Sequence, residues 1–502
     1  MNNDIDVYEK TDINNEVDID INIFFSKTDI TIIKKIGEGE YGTVYETSNG
    51  NIIKCFKYPY DSSTIRELSV IKCLKSHPNI VTTVRNYVYG NVLILEMEKA
   101  KCDLQYCIQN INKEHRPYIM WQLLHAIKHM HSYNVAHRDI KPSNILLFDD
   151  ITIKLCDFGL SKFGVSSGKT HTNEVVTIWY RAPEVILNPG KYTYSVDIWA
   201  CGTTLLQMIL GDKYPLKDEN EMKLLIKIFN LIGTPTEKSW KGVSTTQRWK
   251  DIFPKFKGNL KRQLRDTNVS EDEYDLLQKL LSWEPSRITA QDALKHPYFK
   301  NVRNDDRFSV SVESKIDINL KEHTIKQDEL RSFKSTLFSW MWDVKNELTL
   351  SKEALIGSYF LFNEYCKNNH IVKKNIQLIG TCCLIISSNL YDIYEFNENT
   401  GSVITGNAYS KRLIKNTIRD ILEYFEYDLI YFIDMCDKND NVFNIMCCIM
   451  SSERAFTMPF GQIQTIAREI VTKVDSDDTK YFVSYIKQMP EEYLKKEAIL
   501  CL

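Results

Sequence analysis

Apolar positions change their period along this chain. From Ile30 to about Lys300, short apolar runs alternate with turns. Ile52-Ile53 and Leu93-Ile94-Leu95 predict strands near the start of that stretch, and helices follow. From about Glu329 onward the spacing is helical almost throughout, as in Leu337–Val344, Ile356–Phe362, Ile376–Ile386 and Ile421–Leu429. No strand-rich region or internal repeat stands out there. Residues 1–28 are rich in Asp, Asn and Glu and poor in apolar side chains, which predicts a flexible acidic leader. Residues 301–328 form a mixed polar run that reads as a linker. The expected organisation is therefore a leader (1–28), a first domain (29–300), the linker, and a helical second domain (329–502). The longest apolar stretch, around Leu378–Ile386, falls far short of the ~20 residues a membrane helix requires.

Chemistry enters through two motifs, His137-Arg138-Asp139-Ile140-Lys141-Pro142-Ser143-Asn144 and Asp157-Phe158-Gly159. They resemble the catalytic loop and metal-binding turn of protein kinases. Phosphoryl transfer needs the nucleophile in line and the phosphate charge neutralised. Asp139 is expected to orient and deprotonate the substrate hydroxyl, and Asn144 and Asp157 to hold Mg2+. Lys141 is the Ser/Thr-kinase choice at its position, and Thr177 completes the catalytic set. Gly37-Glu38-Gly39-Glu40-Tyr41-Gly42, with Ile36 before and Val44 after, reads as a glycine-rich loop over the phosphates of ATP. The hexamer alone is a weak signal. Lys54, following at strand spacing, strengthens it: Lys54 should contact the phosphates and pair with Glu67 on the next helix. Leu93–Glu98 reads as the strand that runs into the hinge, with backbone groups of Glu96 and Glu98 toward adenine and Leu95 as gatekeeper. Leu146 should line the same nucleotide pocket. Asp103 is a candidate ribose contact, although an exposed Asp is equally expected on structural grounds. Glu184 should pair with Arg287, and Asp197 should hydrogen-bond the catalytic-loop backbone; both are structural roles.

Ser63-Thr64-Ile65-Arg66-Glu67, the segment Thr172–Glu184, and Leu231-Ile232-Gly233-Thr234-Pro235 with Trp240 together resemble cyclin-dependent kinases over about residues 30–300. That resemblance implies an α+β bilobal kinase fold and transfer of the ATP γ-phosphate to Ser or Thr followed by Pro. The pocket for that proline would involve Val175, Val176 and Arg181. It also places an activating phosphosite at Thr172, gathered by Arg66, Arg138 and Lys162, where lysine lacks the bidentate fork of arginine. Tyr41 falls at an inhibitory phosphosite, while Glu40 stands where the family has a phosphorylatable threonine. Ile52 in place of the usual Ala, with Leu95 as gatekeeper, should reshape the adenine pocket.

In the second half, Leu337–Val344, Asn375-Ile376-Gln377-Leu378-Ile379-Gly380-Thr381, Tyr409-Ser410-Lys411 and Ile421–Leu429 follow an order that resembles a cyclin box over about 329–432. The resemblance implies an all-α domain of five packed helices, with Trp340 and Gln377 in a substrate-docking patch. Cyclins carry a Lys and a Glu facing the kinase; here those positions read as Asn389 and Ile418. Two functions stay open for this half: activation of the kinase in cis through an intramolecular contact, or recruitment of another kinase or a substrate.

Bulk composition changes little. The net charge is −3, from 63 basic and 66 acidic residues, so no global charge argues for nucleic acid or anionic membrane as a partner. The 13 cysteines are scattered without a Cys-x-x-Cys spacing. That pattern suggests a reducing compartment, with neither disulfides nor zinc, in a soluble intracellular protein.

Overall fold

The computed structural model describes residues 30–429, less 40–41, 58–60, 75–76, 90–91, 164–165, 168–176, 190, 304–327, 370, 372–374, 393–395 and 428. The chain divides into two compact units whose boundary falls within 304–327.

The first unit opens with strands β1 (Ile32–Glu38), β2 (Gly42–Thr47), β3 (Asn51–Phe56), β4 (Thr83–Tyr89) and β5 (Val92–Glu98). They form an antiparallel sheet in the order β1-β2-β3-β5-β4. Helix α1 (Ser62–Cys73) connects β3 to β4. Asp61 caps it by accepting from the Thr64 N–H at 2.7 Å, and its buried side chains include Ile65, Leu68 and Ile71. Below the sheet the chain is mainly helical. The larger helices are α2 (Arg116–Ser132), α3 (Pro183–Leu187), α4 (Ser195–Leu210), α5 (Glu221–Ile232) and α6 (Glu271–Leu280). Helix α4 is buried along most of its length and carries Trp199, whose ring is wholly inside. Two short strands, β6 (Ile145–Leu147) and β7 (Ile153–Leu155), pair antiparallel between the motif residues and lead into Asp157.

The second unit has five described helices: α7 (Asp328–Glu347), α8 (Lys352–Asn368), α9 (Ile376–Tyr391), α10 (Glu398–Ile404) and α11 (Lys411–Tyr424). Helix α9 is apolar nearly all round and buried nearly throughout, as expected of a central helix. Two glycines let its neighbours approach. A Cβ on Gly380 would lie 2.7 Å from the Leu337 side chain of α7. One on Gly357 of α8 would lie 2.2 Å from the Ser387 hydroxyl of α9. Helix α11 shows the contrasting pattern: Ile414, Ile418, Ile421 and Leu422 are buried, whereas Lys411, Arg412 and Lys415 are exposed. Ser351, Asn397 and Ser410 cap α8, α10 and α11 through their side-chain oxygens.

Some sequence-derived limits shift. Helix α7 begins well before Leu337, and α9 runs on past Ile386 to Tyr391. The last described helix stops at Tyr424 instead of continuing to Leu429, because Glu426 (φ 48°) and Tyr427 (φ 59°) leave the right-handed region.

Candidate active site

The site forms where α1, the sheet and the two motif loops meet. Val44 on β2 pairs with Lys54 on β3, so the hairpin registers Lys54 beneath the glycine-rich loop. Between β1 and β2 the Gly39 N–H donates to the Gly42 carbonyl at 2.9 Å. Gly42 is required there, since a Cβ would lie 2.4 Å from the Cys55 carbonyl. Glu38 takes bonds from Lys35 and Lys57, which hold its carboxyl down at about 2. Ile36 is exposed, and Glu40 and Tyr41 lie outside the described residues.

Lys54 Nζ donates to both oxygens of Glu67 at 2.6 Å. Burial works against its charge, but the carboxylates of Glu67 and Asp157 outweigh it and hold the ammonium above its ordinary value. This ion pair joins β3 to α1 in the inward position of that helix. On the same helix, Arg66 Nε donates to the Gly159 carbonyl at 2.9 Å, which ties α1 to the Asp157 turn.

The catalytic-loop motif is built around Asp139. Its Oδ2 accepts from Lys141 Nζ at 2.7 Å and from Asn144 Nδ2 at 2.9 Å. Asn144 Nδ2 also donates to the Asp139 carbonyl at 2.8 Å. With its amide N–H groups so committed, Asn144 keeps its Oδ1 as an acceptor. No described group donates to the Asp157 carboxylate either, so these two residues offer the oxygen donors that magnesium requires. Thr177 is exposed, and no hydrogen bond among the described residues joins it to Asp139 or Lys141.

The backbone around this set is strained and braced. Arg138 (φ 71°) and Asp157 (φ 64°) both adopt left-handed conformations that cost a non-glycine residue energy. Asp197 braces the first: its Oδ1 accepts from the Arg138 N–H and its Oδ2 from the His137 N–H, each at 2.9 Å. His131 Nε2 lies 2.9 Å from the same Oδ2. Burial pushes Asp197 up, but the bond to His131 and the Arg138 N–H prevail and its carboxyl sits below the usual value. His137 bridges the two motifs. Its Nδ1 accepts from the Asp139 N–H at 3.2 Å, its Nε2 donates to the Cys156 carbonyl at 3.1 Å, and its ring lies 5.1 Å from that of Phe158. Farther out, Arg287 Nη2 donates to Glu184 Oε2 at 3.0 Å, with a second bond between Nη1 and Oε1.

Other candidate residues have a structural occupation as well. The buried Glu96 carboxylate accepts from Asn49, Asn51 and Tyr87 at 2.7–2.9 Å. Glu98 pairs with Lys154 of β7. Asp103 Oδ1 accepts from the Tyr106 N–H at 2.8 Å and caps the short helix Leu104–Cys107. Leu146, half-buried, pairs with Asp103 of the two-residue strand Cys102–Asp103, which runs antiparallel beside Ile145–Leu147. Lys162 is buried, while Thr172, Val175 and Val176 lie outside the described residues. Neither His131 nor the left-handed turns carried a signal in the sequence. Asn389 and Ile418, the positions read from sequence against the charged pair of cyclins, are both buried. Trp340 and Gln377 are each half-buried, on α7 and α9.

A family model described as the protein kinase domain matches residues 30–299, more than half of the chain. A second, described as the cyclin N-terminal domain, matches residues 306–430. The chain belongs to the protein kinase family: its bilobal α+β kinase domain is followed by an all-α cyclin-like domain.

Proposed function

We propose that this protein is a cyclin-dependent-type Ser/Thr kinase that phosphorylates Ser or Thr followed by Pro, with its own cyclin-like domain acting as activator in cis. One observation carries the catalytic part: the Lys54–Glu67 pair and the Asp139–Lys141–Asn144 cluster are formed together in one domain. In this reading Lys54 steadies the α/β-phosphates of ATP. Asp139 takes the proton of the substrate hydroxyl as that oxygen bonds to the γ-phosphorus and ADP departs. Lys141 keeps positive charge beside the transferring group. Asn144 and Asp157 hold Mg2+, which neutralises charge on the phosphates when bound. Backbone groups near Glu96 and Glu98, with Ile36, Val44 and Leu146, enclose the adenosine, and Asp103 stands near the ribose. Phosphate on Thr172 adds about two negative charges for Arg66, Arg138 and Lys162 to gather, and phosphate on Tyr41 opposes nucleotide binding.

The case for activation in cis is that kinase and cyclin-like domains share one chain. A short connection raises the effective concentration of the activator to the millimolar range. A second reading, recruitment of another kinase or a substrate, is favoured by Asn389 and Ile418 standing where the charged anchors belong.

The test measures phosphate transfer from magnesium-ATP to a Ser-Pro peptide and to its Ser-Ala counterpart. It uses the full chain, a fragment ending at residue 310 and Asp139→Asn. Activity confined to the intact chain, dependent on proline and lost in Asp139→Asn, is the expected result. A fragment that binds nucleotide and works as well as the intact chain assigns the cyclin-like domain to recruitment.

A further inference from the structure

The near-neutral balance of the whole chain conceals a local excess. Residues 231–265 carry nine Lys and Arg against two acids. Both acids are occupied within the segment: Glu237 accepts from the Gly242 and Ser244 N–H groups, and Asp251 from Trp249 Nε1. Five of the cations, Lys238, Lys257, Lys261, Arg262 and Arg265, line one groove of about 1360 Å³ in the helical lobe. All five are exposed, and no carboxylate among the described residues pairs with any of them. Among the described residues, Glu271 is the only carboxylate on the groove wall. None of the lining residues belongs to the catalytic loop or to the nucleotide-binding sheet.

The groove is not purely electrostatic. Half-buried Ile232, Val269 and Tyr274 line it alongside the cations. Unpaired arginines and lysines around a concave, partly apolar surface match a ligand with a doubly charged oxyanion and a side chain to bury. Nucleic acid is a poorer match, because an extended backbone needs a longer basic track than one pocket provides. We propose that this groove docks a phosphorylated peptide segment, at a site separate from the catalytic cleft. The choice of ligand rests on the protein-kinase assignment, since phosphorylated protein is what such an enzyme makes. A segment held here raises the local concentration of further acceptor sites on the same protein.

The test uses the full chain carrying Asp139→Asn, so that nothing is phosphorylated during the assay. The probe is a fluorescent peptide pool with a fixed phosphoserine and six randomised flanking positions, compared with its unphosphorylated counterpart. The phosphorylated pool should bind at least about tenfold tighter, the ratio that a single charge-assisted contact of ~1.4 kcal/mol supplies. Lys257→Glu/Arg262→Glu/Arg265→Glu should remove that preference while leaving nucleotide binding as in the parent. Equal binding of the two pools, or an unchanged preference in the triple variant, overturns the proposal. Tighter binding of inositol hexakisphosphate or single-stranded DNA, with the same dependence on the three cations, also overturns it in favour of a general polyanion site. Turnover by the otherwise native chain is measured separately. Turnover without phosphate-selective binding rejects the groove alone, and selective binding without turnover rejects the kinase reading alone.

Discussion

In the kinase domain, buried carboxylates have charged or hydrogen-bonding partners. Glu67 meets Lys54, Glu184 meets Arg287, Glu273 meets Arg116, and Asp197 meets His131 and two backbone N–H groups. In the cyclin-like domain, the buried polar residues among those described are Ser, Thr and Asn, and none is charged. Several of those hydroxyls bond back to carbonyls of their own helix. Ser358 donates to the Leu355 carbonyl at 2.6 Å, Thr381 to Gln377 at 2.7 Å and Ser388 to Ile385 at 2.9 Å. Burying a charge costs several kcal/mol unless it is well paired. The kinase domain bears that cost where it must hold a phosphate-handling site and a left-handed catalytic turn in place. The described interior of the cyclin-like domain is filled instead with apolar and weakly polar groups. The first domain should therefore be sensitive to loss of a charge, and the second to a change of volume.

The largest effect expected is on turnover. Asp139→Asn keeps the size of the side chain and removes the proton acceptor, so kcat should fall about a thousandfold, within the range assigned to general-base catalysis. Nucleotide affinity and the unfolding midpoint should stay near those of the parent. A variant that keeps a tenth or more of parental activity would contradict the role given to Asp139.

Glu184→Ala tests the structural half of the comparison. It leaves the Arg287 guanidinium buried without its carboxylate and should cost about 3–5 kcal/mol, read from urea unfolding of the kinase domain. A loss below about 1 kcal/mol, the scale of an exposed pair, would mean that the kinase interior tolerates lone charge.

Gly380→Val asks the volume question of the other domain. Its first carbon would meet Leu337 at 2.7 Å, so α7 and α9 must separate or repack at a cost of about 1–3 kcal/mol. Hydrogen exchange should rise in α7 and α9 and stay unchanged in α2 and α4. If the cyclin-like domain activates in cis, turnover should fall in parallel; under recruitment it should not.

Legibility divides along the same line. The Lys54–Glu67 and Glu184–Arg287 pairs were readable because each lies inside a motif with little freedom of spacing. What brings the Asp197 brace to completion was not readable: His131 sits 66 residues away on another helix, and only the packing of α2 against α4 brings it there. The left-handed turn at Arg138 was hidden because arginine is not among the usual markers of that conformation, and at Asp157 aspartate marks it only occasionally. Asp103 shows how a local demand competes with a functional one, since its oxygen caps a helix whether or not a ribose arrives. The basic groove escaped notice because acids elsewhere cancel its charge in the total. In the cyclin-like domain, helical period located α7, α8 and α9 but not their ends, touched only the last turn of α11, and gave no segment for α10. A stop such as the one after Tyr424 depends on two residues entering left-handed geometry, which apolar spacing does not record.

The smallest effect expected is in the pH dependence of stability, and it too should fall on one domain. His77 is buried beside His129, with ring centroids 4.6 Å apart, and its Nδ1 accepts from the Asn79 N–H at 3.1 Å. Burial, reinforced by His129 and His125, lowers its pKa to about 3. In the unfolded chain the same imidazole takes up a proton near pH 6.5. The unfolded state therefore binds more protons than the folded state between pH 6.5 and about 3. Stability contributed by the neutral ring is fully present above pH 6.5 and is lost as the pH falls, with a slope approaching about 1.4 kcal/mol per pH unit. Between pH 6.5 and 5 most carboxylates stay ionised, so the histidine contribution can be isolated there. His77→Gln keeps an acceptor for the Asn79 N–H and cannot be protonated, so it should flatten the slope of the kinase-domain unfolding free energy by close to one proton. Exchange protection in α8 and α9, where no buried histidine is described, should be the same at pH 6.5 and pH 5 once intrinsic exchange rates are corrected. An unchanged kinase-domain slope in His77→Gln would show that His77 is protonated in the folded domain at these pH values.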